Sequence, residues 1–111
     1  MSNMFYVCIN FDQSISNFDT SNVTNMTGMF GNCTIFNQSI SNLNTSKVTD
    51  MSYMFANTLN FDQPLNNWSV NNVSNMSYMF YNASAQYSNG LLKYDYSGWS
   101  VSLVTNRTNF L

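Results

Sequence analysis

FDQPLNNWSVNNVSNMSYMFYNASA, residues 61–85, decides how this chain is read, because it occurs three times. FDQSISNFDTSNVTNMTGMFGNCTI (11–35) and FNQSISNLNTSKVTDMSYMFANTLN (36–60) align with it without a gap, and the starts at Phe11, Phe36 and Phe61 set a period of 25. A fixed period of a few tens of residues signals units that bury their apolar side chains against one another. The repeat divides the chain, read as one segment over 1–111, into a partial repeat 1–10, repeats 11–35, 36–60 and 61–85, an insertion 86–91, and a degenerate partial repeat 92–111 that begins again near Trp99-Ser100-Val101.

All eight Met fall in two columns, Met1/26/51/76 and Met4/29/54/79. Phe11/36/61, Ile15/Ile40/Leu65/Tyr96, Phe18/Leu43/Trp68/Trp99, Val23/48/73/104 and Phe5/30/55/80 complete the apolar set, and each column is assigned to the interior. In Leu65-x-x-Trp68-x-Val70 the last apolar residues alternate with a polar one, which predicts a short strand with one buried face. Val73, Met76, Met79 and Phe80 recur at three- and four-residue steps, which predicts a helical or 3₁₀ turn. Thr24, Thr49, Ser74 and Thr105 precede that turn, where hydroxyls cap helices. Together these patterns predict a repeat solenoid of leucine-rich-repeat type, one 25-residue coil per repeat, with short parallel β-strands about 4.8 Å apart and a helical turn in each coil. Asn17/42/67 and Asn32/57/82 are expected to satisfy turn backbone or bond to each other along the column.

Composition narrows the function. The chain of 111 residues has three Lys and Arg, five acidic residues, no His and a formal net charge of −2. Binding along a nucleic-acid backbone needs many more cations. Every acidic residue is Asp, so side chains suited to general acid or base work are scarce, and no enzyme, cofactor or metal is expected.

Residues 61–83, with Gln63-x-Leu65-x-x-Trp68 followed by Val73-x-x-Met76-x-x-Met79-Phe80, resemble the BspA-like leucine-rich surface-protein repeat. The likeness is to the variant abundant in mycoplasma-type lipoproteins and also found in protists and large DNA viruses. It spans nearly the whole chain apart from the insertion, and departs from the pattern at Arg107 in the Met76 column and Asn109 in the Tyr78 column. The resemblance implies a secreted or surface-exposed interacting protein with no activity attached to the repeat, and it supplies no site residues.

Several features stand as candidates for chemistry. Cys8 and Cys33 lie one period apart, and the spacing of neighbouring units accommodates either two buried thiols or a disulfide; without His or a second pair they make poor zinc ligands. Asp12, Asn37 and Asp62 share a column, but the Gly-rich nonapeptides of calcium-binding repeats are missing, which favours solvated turn carboxylates. Ten Asn-x-Ser/Thr sequons arise largely from the repeat. At the insertion, Asn89-Gly90 signals a turn beside Tyr87, Lys93, Tyr94 and Asp95. Tyr87, Lys93 and Tyr94 are therefore candidates for partner binding, set against a reading in which Leu92 and Tyr96 simply fill the Phe61 and Leu65 columns. Asp19, Asn44 and Ser69, on the outward side of the expected strands, form a second candidate surface.

The expected function is a non-enzymatic, surface-exposed or structural module that presents a face to protein or glycan, outside the cell or on its surface. An alternative is a self-associating block of a filament, coat or virion, since residue 1 falls in mid-unit and neither end carries a polar cap. An ice- or glycan-binding role is suggested more weakly by hydroxyl columns that Asn and Val interrupt. Met4 to Ile9 is too short an apolar run to be a signal core or to enter a membrane.

Overall fold

The computed structural model describes residues 2–4, 6, 8–88, 91–101, 103, 104 and 106. Met1, Phe5, Thr105, Arg107, Asn109 and the Asn89-Gly90 turn, all singled out from the sequence, lie outside the described residues.

The expected leucine-rich-repeat solenoid is overturned. Regular secondary structure among the described residues consists of a 3₁₀ turn at Ser84–Gln86 and two short strands, β1 (Tyr87–Ser88) and β2 (Leu91–Leu92). These pair antiparallel, Tyr87 with Leu92 and Ser88 with Leu91. Parallel pairing is reduced to isolated bridges linking Asn25, Asp50, Asn75 and Asn106. The body measures 35 × 34 × 20 Å, a short globule and not a rod.

Local backbone chemistry explains the correction. Gly28, Tyr53 and Tyr78 have φ between 57° and 60°, and Asn32, Asn57 and Asn82 between 54° and 61°. Left-handed residues at such close intervals interrupt any right-handed helix across the Met stripe. The chain turns instead, through three-residue closures such as Met29 N–H to Met26 O (3.2 Å), Gly31 N–H to Gly28 O (3.0 Å) and Cys33 N–H to Phe30 O (3.0 Å). The intervening amides leave their own segment: Met26, Gly28, Phe30 and Asn32 donate to the carbonyls of Asp50, Ser52, Met54 and Ala56 at 2.8–3.0 Å. Met51, Tyr53, Phe55 and Asn57 donate likewise to Asn75, Ser77, Met79 and Tyr81. Thr27 N–H closes on the Asn25 side chain (2.8 Å), so every amide from 26 to 33 has a partner without a helix or a ladder.

The expected helix caps fail for the same reason. Thr49 and Ser74 use both N–H and hydroxyl on the carbonyl 25 residues earlier. The turn is capped one residue later, where Asn25, Asp50 and Asn75 accept the amides of Thr27, Ser52 and Ser77 at 2.8–3.0 Å. In the expected strand, Trp68 N–H closes a turn on Leu65 O, and side chains bridge the segments: Trp68 Nε1 donates to Ile40 O (3.1 Å) and Trp99 Nε1 to Leu65 O (3.2 Å).

Apart from Met4, the described periodic apolar residues are buried or partly buried. Met26, Met29, Met51, Met54, Met76 and Met79 are buried together with Phe30, Phe36, Phe55, Phe61 and Phe80. Met4 is exposed, and Phe11, Phe18, Val23 and Tyr96 are partly buried against the core. Equivalent rings stack, Phe30 to Phe55 and Phe55 to Phe80 at 5.7 Å between centroids, and Phe36 to Phe61 also at 5.7 Å. A tighter cross-contact joins the two rows, with Phe55 and Phe61 at 4.6 Å. Offset stacked rings add to the area they bury.

Candidate functional site

The insertion candidates are held against the body. Lys93 Nζ lies 2.8 Å from both oxygens of the Asp62 carboxylate, and Tyr94 donates its hydroxyl to the same carboxylate at 2.8 Å. Tyr87 donates its hydroxyl to Phe80 O (3.1 Å) and is half-buried. Hydrogen bonds from Lys93 and Tyr94 hold the Asp62 carboxyl below its usual range, and the Asp62 hydrogen bond in turn raises both Lys93 and Tyr94. These three side chains fasten the hairpin to the body.

The centre of that fastening is Gln86, which the sequence reading did not single out. Its N–H closes on Ala83 O as Phe61 N–H closes on Thr58 O, placing it in line with Phe36 and Phe61. It is fully buried. Its amide donates to Phe61 O (3.2 Å) and Gln63 O (2.9 Å), its side-chain oxygen accepts Tyr96 OH (2.9 Å), and its main-chain oxygen accepts Lys93 N–H (2.7 Å). Burial pushes the Tyr96 hydroxyl up to about 12, which keeps it a neutral donor to Gln86. The interruption of the Phe column by an amide was the available signal.

Asp19 and Asn44 are exposed but turned to their own backbone, accepting the amides of Ser21 and Ser46 at 3.0 Å. Ser69 is half-buried, and its carbonyl accepts the Thr45 hydroxyl (2.9 Å). With no strands here, these three are corner residues and not the outward face of a sheet. Asp12 and Asn37 lie in the column with Asp62; their side chains accept the amides of Asn37 and Asp62 and the side-chain amides of Gln38 and Gln63. Among the described residues no group of three potential metal ligands occurs.

Two titratable sites yield checks. Burial opposes the charged form of Asp50, but hydrogen bonds from Ser52, Thr27 and Asn75 outweigh it and leave the carboxyl below the usual carboxylate range. A carboxyl lowered by folding contributes stability above the unfolded value and loses it as pH falls through the folded one. Asp50→Asn is therefore expected to flatten the acid limb of the melting-temperature profile below about pH 4, read by thermal melts across pH. Cys8 and Cys33 are both thiols, and burial pushes Cys33 up to about 11. In native protein, mass-spectrometric alkylation at neutral pH should label half-buried Cys8 first and Cys33 only on unfolding.

A different surface is open. Tyr6, Tyr53 and Tyr81 are exposed by 44–49 %. The Tyr53 and Tyr78 rings stack at 4.8 Å, and Tyr81 meets Tyr78 edge-on at 5.6 Å. Beside Tyr53 an open cleft of about 330 Å³ is lined by Asn3, Tyr6, Thr27 and Tyr53. No helix among the described residues is long and apolar enough to cross a membrane.

Turn-built, internally periodic and bearing a tyrosine face, the chain has the character of a small repeat-derived domain. It belongs to the family described as Mycoplasma protein of unknown function, DUF285, whose model matches residues 1–94. No curated protein and no solved structure matches it.

Proposed function

We propose that this domain is a non-enzymatic surface or structural module that presents a binding face to protein or glycan. The tyrosine face carries this reading. Tyr53, Tyr78 and Tyr81 form a contiguous aromatic set, with Tyr53 and Tyr81 well exposed, on a body whose described buried side-chain polar atoms all have partners. Exposed aromatics that form a group, and are not scattered singly, mark contact surfaces, since tyrosine offers large area with little rotamer entropy to lose. The resemblance of residues 61–83 to the BspA-like surface-protein repeat supports a location outside the cell or on its surface.

The purified chain applied to arrays of extracellular proteins and glycans should give saturable binding, reduced by the combined Tyr53→Ser, Tyr78→Ser and Tyr81→Ser substitutions. Absence of binding, or binding indifferent to those substitutions, refutes the tyrosine face. Self-association is the second reading, favoured by Leu91 at 72 % exposure on the hairpin. Sedimentation that shows monomer alone at high concentration removes it.

A further inference from the structure

Four residues occupy one position in successive segments. Asn3, Gly28 and Tyr53 donate their amides to Thr27, Ser52 and Ser77 in the same pattern, and Asn3, Gly28, Tyr53 and Tyr78 have φ of 55°, 60°, 57° and 57°. Tyr53 and Tyr78 stack on one another. The next rung in that row is Gly28, which has no side chain, and beyond it stands the Asn3 amide. In the neighbouring row Tyr81 is succeeded by Ala56 and Gly31, and Tyr6 leans across Gly31, its Cδ2 lying 2.8 Å from where a Gly31 Cβ would be. The cleft of about 330 Å³ is lined by Asn3 and Tyr6, the two side chains that crowd Gly28, together with Thr27 and Tyr53.

We propose that this slot binds one neutral sugar ring of a glycan. The proposal rests on the binding-face reading above and names its ligand class. A pyranose has an apolar C–H face that lies on an aromatic ring and an equatorial rim of hydroxyls that needs donors and acceptors. Tyr53 supplies the platform, and the Asn3 amide and the Tyr6 hydroxyl supply the polar rim, with the Thr27 hydroxyl, which donates to Asp50, left to accept. Among the described residues no cationic side chain lines the slot, and the Asp50 carboxylate is engaged by Thr27, Ser52 and Asn75, so an acidic sugar finds no counter-charge there.

The test is an amide-resolved NMR titration of the protein with methyl glycosides of glucose, galactose and N-acetylglucosamine up to about 50 mM, the range suited to a single-ring Kd of a few mM. Saturable shifts at the Gly28 and Gly31 amides for at least one sugar are expected. Gly28→Tyr should fill the slot and weaken binding at least roughly tenfold. The row already holds tyrosine at this backbone geometry, and at the new Cβ the close contact is the flexible end of the Asn3 side chain. Tyr53→Ala removes the platform without touching the glycine turn and should weaken binding as much, so a folding defect in one variant leaves the other to decide. If no sugar binds, if Gly28→Tyr binds as well as the wild type, or if only an aromatic peptide such as N-acetyl-tyrosinamide enters the slot, the proposal is overturned. Array binding retained by Gly28→Tyr in that event would leave the broader tyrosine face standing.

Discussion

Phe55→Asn should lower stability by about 4 kcal/mol or more, a fall of roughly 15 °C in melting temperature for a domain of this size. Phe55 is fully buried and stacks on Phe30, Phe61 and Phe80 at 4.6–5.7 Å, with Trp68 tilted against it at 6.1 Å. Truncation leaves a cavity between two rows of rings, and the introduced amide loses water with only hydrocarbon and sulfur around it. Phe55→Leu keeps most of the volume and should cost only about 1.5 kcal/mol. Thermal or urea unfolding of the three proteins separates the packing loss from the polar penalty. An unchanged melting temperature for Phe55→Asn would remove the ring rows as the source of stability.

The second large effect is expected at Gln86. Gln86→Ala takes the amide donor from the carbonyls of Phe61 and Gln63 and the acceptor from the Tyr96 hydroxyl, all inside the body. Leaving buried polar groups unpaired costs about 1–3 kcal/mol each, and a total near 3 kcal/mol is expected after relaxation. Gln86→Glu sharpens the test. An ionised carboxylate offers no proton to two carbonyls, so the folded state raises the carboxyl's pKa, and stability is retained at low pH and lost as pH rises through the unfolded value near 4.3. Melts at pH 4 and pH 8 should show the larger deficit at the higher pH. An equal deficit at both would mean that donation by Gln86 is unimportant.

The burial of the core was legible in the sequence, because a Met or Phe every 25 residues reports which side chains must share an interior. The conformation that achieves the burial was not. Met76-x-x-Met79-Phe80 has helical spacing, yet a tight turn satisfies the same spacing, and the choice was made by residues carrying no apolar signal. Asn32, Asn57 and Asn82 accept positive φ readily, and their side chains hydrogen-bond in a row at 2.7 and 3.0 Å. Tyr53 and Tyr78 at positive φ run against residue preference and follow from their context, which no local propensity encodes. Leu65-x-x-Trp68-x-Val70 misled similarly: alternation marks a half-buried extended stretch but does not specify a backbone ladder, and here indole and hydroxyl groups make the cross-links. Among the candidate residues, Tyr87, Lys93 and Tyr94 stand out in the sequence beside the insertion, but a sequence does not show that their hydroxyl and ammonium groups bond to Phe80 and Asp62. Gly28 in the column of Tyr53 and Tyr78 is visible in the sequence, and it gains meaning only once those two rings are seen to stack.

The one-way donation from Met26, Gly28, Phe30 and Asn32 to the following segment, repeated by Met51, Tyr53, Phe55 and Asn57, has an electrical consequence. In an ordinary sheet neighbouring peptide dipoles alternate and cancel; here they add, as along a helix. This row therefore carries a partial dipole along its length, offset in part by the amides of Thr49, Ser74 and Asn106, which donate to the preceding segment. Two copies meeting at the same end of that row about a two-fold axis would set like poles together, whereas a head-to-tail approach would set unlike poles together.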